Sequence, residues 1–135
     1  MLSQTAEYAL RAVLFIAEHG DGRPCRVADI SVRLGIPQNY LSKTMHLLAR
    51  NEILASSRGK SGGFRLAKPA DQITLAEIVR PFEQLDARTS CLLGRPTCSD
   101  ATPCAAHQRW KAVADSTKAF LRNTTVAEIT SHPAS

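Results

Sequence analysis

The most distinctive chemistry in this sequence lies in four residues, Cys91, Cys98, Cys104 and His107, spaced Cys-x6-Cys-x5-Cys-x2-His. Three thiolates and one imidazole suit either an iron-sulfur cluster or a tetrahedral zinc, because both need four ligands and both favour sulfur. The spacing leans toward the cluster. Structural zinc uses tight knuckles of two to four residues between paired cysteines, whereas gaps of six and five leave a loose loop around a larger object. A zinc site and a metal-free loop with incidental thiols stand as the alternatives. Three cysteines so close together in a reducing cytosol argue for metal or redox chemistry rather than a disulfide framework. The fourth, Cys25, stands alone before an apolar helix and reads as a small buried hydrophobe.

A second constellation is cationic. Arg58-Gly59-Lys60-Ser61-Gly62-Gly63 separates two short alternating segments, Ile53–Ser57 and Phe64–Leu66, which predicts a β-hairpin with a basic, glycine-rich tip. An arginine on such a tip suits a minor groove, and the glycines let the backbone come close to a partner. The spacing Gly-x-x-x-x-Gly-Lys-Ser/Thr of a nucleotide-binding loop is absent, and no parallel βαβ pattern surrounds the stretch. Just upstream, Gln38, Asn39 and Tyr40 open a helical pattern where side chains reach base edges and backbone N–H groups meet phosphate, with Lys43 one turn further on.

The charge distribution agrees. The chain carries 17 Lys and Arg against 12 Asp and Glu, a formal net charge of +5. Residues 1–68 hold ten of the basic and five of the acidic residues, while residues 69–135 hold seven of each, so the excess lies in the first half. A polyanion is the partner this balance favours.

The elements that must position these residues follow from periodicity. Leu10, Val13, Leu14 and Ala17 mark a first helix from Thr5 to His19, ended by Gly20-Asp21-Gly22-Arg23-Pro24. Val27, Ile30 and Leu34 mark a second, stopped at Gly35. Pro37 opens a third, to Asn51, with Leu41, Met45 and Leu48 inward and Asn39, Ser42, Lys43, His46 and Arg50 outward. Thr74-Leu75-Ala76-Glu77 and Thr125-Val126-Ala127-Glu128 have capping-box spacing. Between them a long helix from about Cys104 to Leu121 aligns Trp110, Val113, Thr117 and Phe120/Leu121, a stripe expected to pack on a second copy of the chain.

Helix, turn, helix and basic hairpin together predict a mainly α fold with a small β-hairpin wing, a winged helix-turn-helix followed by a long C-terminal dimerisation helix. The expected division is a DNA-binding domain over 1–82, a cluster-binding loop over 83–104, the dimerisation helix and C-terminal cap over 105–130, and a disordered tail over 131–135. At 135 residues the chain is one domain, short for a multi-step enzyme, and no apolar run approaches the length of a membrane span. A non-enzymatic cytoplasmic protein with no membrane partner is the expectation.

The chain resembles, over nearly its full length, the family of winged-helix iron-sulfur regulators that includes the iron-sulfur cluster regulator IscR and the nitric-oxide sensor NsrR. The matching pieces are Tyr8-Ala9-Leu10-Arg11, Ala28-Asp29-Ile30-Ser31, Leu34-Gly35-Ile36, Tyr40-Leu41-Ser42-Lys43, the wing 58–64, Ile73–Val79, the three cysteines and Leu121–Ile129. The resemblance implies a homodimer with crossing long helices, a double-stranded DNA operator, and a cluster loop near the first helix of the partner. It also implies two candidates for the fourth ligand. IscR-like members use a histidine three residues after the last cysteine, matched by His107. NsrR-like members use an acidic residue from the partner's first helix, and Glu7 occupies that place. A [2Fe-2S] cluster is preferred over [4Fe-4S] if His107 ligates.

Overall fold

A computed structural model of the chain describes residues 2–20, 22–59, 62–83 and 106–130. Helix α1 (Gln4–His19) starts where the Ser3 hydroxyl accepts the Ala6 N–H, and it buries Ala6, Ala9, Ala12, Val13 and Ile16. Small residues along that face let other elements approach closely, and α1 is the hub on which much of the chain packs. Helix α2 (Val27–Leu34) ends at Gly35 in the left-handed conformation (φ 68°), which only glycine adopts at low cost. The Gly35 and Ile36 N–H groups both return to the Ser31 carbonyl, and the Ser31 hydroxyl donates to Ile36 O, so the turn into α3 (Gln38–Arg50) is tightly bonded.

The hairpin pairs β1 (Leu54–Ser57) with β2 (Gly63–Leu66) antiparallel, Leu54 opposite Leu66 and Ser57 opposite Gly63. Near its tip, β2 is tied to the segment before α2 by an isolated bridge, Cys25 N–H to Phe64 O (2.7 Å) and Phe64 N–H to Cys25 O (2.8 Å). A 3-10 turn (Ala70–Gln72) leads to the short α4 (Leu75–Val79), capped by Thr74, whose hydroxyl accepts the Glu77 N–H. The Glu77 carboxylate is met by Lys68 Nζ at 2.9 Å. Helix α5 (His107–Asn123) packs on α4, and α6 (Val126–Thr130) packs on α1. The strand-like crossing of Ile73–Leu75 with Thr124–Val126, bonded at 2.9 Å in both directions, staples the C-terminal helices to the first half. Thr125 and Glu128 form the reciprocal capping box that their spacing predicts.

The core holds Val13, Ile30, Ile36, Leu41, Met45, Leu48, Ile73 and Ile78, joined by Leu121 and Val126 from the C-terminal helices. Each such side chain contributes roughly 1.5 to 3 kcal/mol by leaving water. One expectation needs correction here. Leu121, read from the sequence as part of a face awaiting a second copy, is 3% exposed and already sits in this chain's own core. The inward stripe of α5 runs His107, Trp110, Ala114, Thr117, Leu121 in steps of three and four, and α4 packs against this helix. Val113 and Phe120, one position off that stripe, stay 50% and 55% exposed. Among the described residues no helix is long and apolar enough to cross a membrane. The expected 131–135 tail and most of the 83–104 loop lie outside the described residues.

Candidate nucleic-acid interface and metal loop

The inner face of α3 is fixed by Leu41, Thr44, Met45 and Leu48, all buried. Its opposite face is thereby forced outward: Gln38, Asn39, Tyr40 and Lys43 are exposed, as are His46 and Arg50 further along. Pro37 is the N-cap, so no N–H is lost at the first position, and the free N–H groups of the first turn share the helix end with Gln38, Asn39 and Tyr40. Tyr40 is 60% exposed, unusual for an aromatic ring without a ligand to cover. Its carbonyl accepts the Thr44 hydroxyl at 3.0 Å, which steadies this first turn.

The wing is positioned by the same framework. Phe64, buried on β2 one residue from the tip end of the ladder, is gripped on one side by the Cys25 bridge. On the other, the His46 ring of α3 meets it edge-on at 5.4 Å between centroids. Helix α3 and the wing therefore touch directly. Across the hairpin Arg65 Nη1 donates to Ser57 Oγ at 3.1 Å, and Gly62 N–H closes the tip onto Gly59 O at 2.9 Å. Arg58 is exposed at that tip, while Lys60 and Ser61 fall outside the described residues. Arg65 and His46 are exposed beside these residues and are candidates for the interface that sequence reasoning left out. Their signal was present, since both belong to the basic stretch from Lys43 to Lys68 and to outward positions of α3 and β2.

For the metal loop, Cys91, Cys98 and Cys104 lie outside the described residues, and among the described ones no three His, Cys, Asp or Glu side chains come together. Both flanks of that loop are visible. Before it, Glu83 Oε1 accepts the Ser3 N–H at 2.6 Å, tying the end of the α4 segment to the start of α1. After it, His107 is the first residue of α5 and is only 5% exposed, so it is not a solvated helix-surface imidazole. Glu7 is exposed in the first turn of α1. Cys25 is a free thiol packed against the core; burial pushes its pKa up, and the Asp29 carboxylate adds to the rise.

Comparison with known proteins agrees with this architecture. Residues 2–132 match the family Rrf2, Iron-dependent Transcriptional regulator. The HTH-type transcriptional regulator IscR of Cronobacter sakazakii is 34% identical over 128 residues, spanning 95% of this chain and 78% of that protein. The IscR of Yersinia pestis is 33% identical over the same length, spanning 95% and 77%. Among solved structures, CymR, the global cysteine regulator of B. subtilis, superposes with a TM-score of 0.81 at 22% identity, covering 99% of this chain and 98% of that one. T. potens IscR gives 0.75 at 23% identity, covering 97% and 86%. The two structures speak for the fold, and the relatives are regulators rather than enzymes. With a family match along almost the whole chain and relatives above 30% identity, the chain belongs to the Rrf2 family of transcriptional regulators.

Proposed function

We propose that this regulator senses redox, nitric-oxide or iron-sulfur status through an iron-sulfur cluster held by Cys91, Cys98, Cys104 and His107, and binds duplex DNA as a cytoplasmic homodimer. The observation that carries the cluster reading is the donor set itself, three thiolates followed after two residues by an imidazole that is buried at the start of α5. Ligation would use one ring nitrogen of that imidazole and leave the other for a hydrogen bond within the protein. When bound, the cluster supplies a centre whose redox state, nitrosylation or loss alters the ligand set around it. Residues 83–104 then form the sensing loop, 1–82 the DNA-binding domain and 105–130 the dimerisation helix with its C-terminal cap. Glu7 of the partner subunit is the competing fourth ligand, and its exposure suits a residue delivered to another chain.

DNA contact is assigned to Gln38, Asn39, Tyr40 and Lys43 on α3, in the major groove, and to Arg58, Lys60 and Ser61 on the wing. Val113 and Phe120 are assigned to the dimer interface. Anaerobic purification tests the cluster. Visible absorption, bleached by any one of Cys91→Ala, Cys98→Ala or Cys104→Ala, supports the proposal. A colourless protein with one zinc per chain, or with no metal, refutes it. Magnetic resonance of the reduced protein with labelled histidine nitrogen then identifies the fourth ligand. Absence of nitrogen coupling, with the cluster kept in His107→Ala and lost in Glu7→Ala, transfers that role to Glu7 and favours a nitric-oxide sensor.

A further inference from the structure

Away from α3, the α1 and α2 helices line a groove of about 360 Å3, wide open to solvent. Its floor is apolar: Leu14, Phe15 and Leu34 are each half-buried there. Its walls carry two arginines whose side chains are already held in place. Arg11 Nη2 donates to Leu34 O at 2.7 Å, which caps a carbonyl at the end of α2 and leaves the remaining donors of that guanidinium outward. The Arg33 guanidinium lies 5.8 Å from the centroid of the Phe15 ring, against which it stacks. Neither arginine has a carboxylate within ion-pair distance among the described residues. Glu18 is the one acidic residue lining the groove; its Oε2 lies 3.9 Å from His19 Nε2, and the His19 ring packs 4.4 Å from that of Phe15.

Two pinned, unneutralised guanidiniums above an apolar floor call for a ligand that carries both carboxylates and apolar side chains. The shape argues against a small metabolite, since such ligands are mostly enclosed by their pockets and this groove is open. DNA is a poor fit, because a phosphate backbone gains nothing from Leu14, Phe15 and Leu34. We infer that the α1–α2 groove docks an acidic segment of a partner protein, its carboxylates on Arg11 and Arg33 and a leucine or phenylalanine on the floor. Because Arg11 is held by its bond to the Leu34 carbonyl before the partner arrives, little of its side-chain freedom is lost on docking. This inference does not depend on a metal in the loop.

The test uses the full chain, labelled with nitrogen-15, and a synthetic 16-residue peptide in which Asp and Glu alternate with Leu and Phe. Two control peptides replace either the acids by Lys or the apolar residues by Gly, and free glutamate and benzoate serve as small anions. The expected result is a set of chemical-shift changes centred on Arg11, Phe15, Arg33 and Leu34 with the first peptide alone. Peptide affinity should fall at least tenfold in Arg33→Gln, a variant that breaks no hydrogen bond and so keeps the parent's thermal midpoint within a few degrees. Equal affinity in Arg33→Gln, shifts elsewhere on the surface, or no binding overturns the inference. Binding of glutamate or benzoate as tight as the peptide makes the groove a small-anion site, and loss of DNA affinity in Arg33→Gln without peptide binding makes it a DNA surface; both overturn it.

Discussion

Replacing Gly63 by alanine should damage this protein far more than its place in an exposed hairpin suggests. A Cβ built on Gly63 would lie 2.4 Å from the Cys25 carbonyl oxygen and 2.6 Å from its carbon, backbone atoms that have no rotamer to yield. The residue also has φ 148°, which L side chains avoid. Relief requires opening the Cys25–Phe64 bridge and its two hydrogen bonds of 2.7 and 2.8 Å. Each such bond contributes roughly 0.5 to 1.5 kcal/mol net, and a forced backbone conformation costs roughly 1 to 3 kcal/mol. The loss should therefore be about 2 to 6 kcal/mol, a large part of a total that is roughly 5 to 15 kcal/mol for a domain. Gly22→Ala is the control: it also has positive φ (80°), but nothing lies within 4 Å of the added carbon. Urea unfolding of the two variants, with DNA affinity measured alongside, separates the clash from the dihedral term. If Gly63→Ala loses no more stability than Gly22→Ala, the wing is not anchored through Cys25 and the reasoning fails.

Three further outcomes follow from the packing. Glu52 holds φ 62° at the end of α3 without being a glycine, so Glu52→Gly should raise stability by up to about 1 kcal/mol in thermal unfolding. Leu121→Ala should cost roughly 2 to 5 kcal/mol because this side chain is core, whereas Val113→Ser with Phe120→Ser should leave the chain folded and shift sedimentation from dimer to monomer. The Cys25 thiol, raised by burial and by Asp29, contributes stability that is present below the ordinary thiol pKa and lost as pH climbs through the raised one. The parent should accordingly lose stability relative to Cys25→Ser only on the alkaline side, as followed by urea midpoints across pH.

Much of the fold was legible because its signals are local. Gly35 was readable as a helix stop from its position after Leu34, and Thr74 and Thr125 as caps from the glutamate three residues on, since each depends on a few neighbouring residues. What was not legible is long-range. Gly63 was read as one of the tip glycines that let the backbone approach a partner, and only the crossing of Cys25 behind it, 38 positions away in sequence, explains why nothing larger fits. Leu121 and Phe120 are adjacent and equally apolar, so an approximate stripe cannot tell which one the core takes. The strict three-and-four stepping back from Leu121 reaches Trp110 and then His107, a signal that pointed to the buried imidazole. Glu52 gave no sign at all, because the left-handed position after α3 is filled without the glycine that usually marks it.

The central claim, that the cysteine loop governs DNA binding, is tested by one titration. A duplex selected from a random pool by the anaerobically prepared protein is titrated with that same preparation, and again after its metal has been removed by chelation. A change in affinity of at least tenfold between the two is the predicted result, with the holo spectrum lost in step. Identical affinities, from protein that had lost a cluster and stayed folded, would contradict the account.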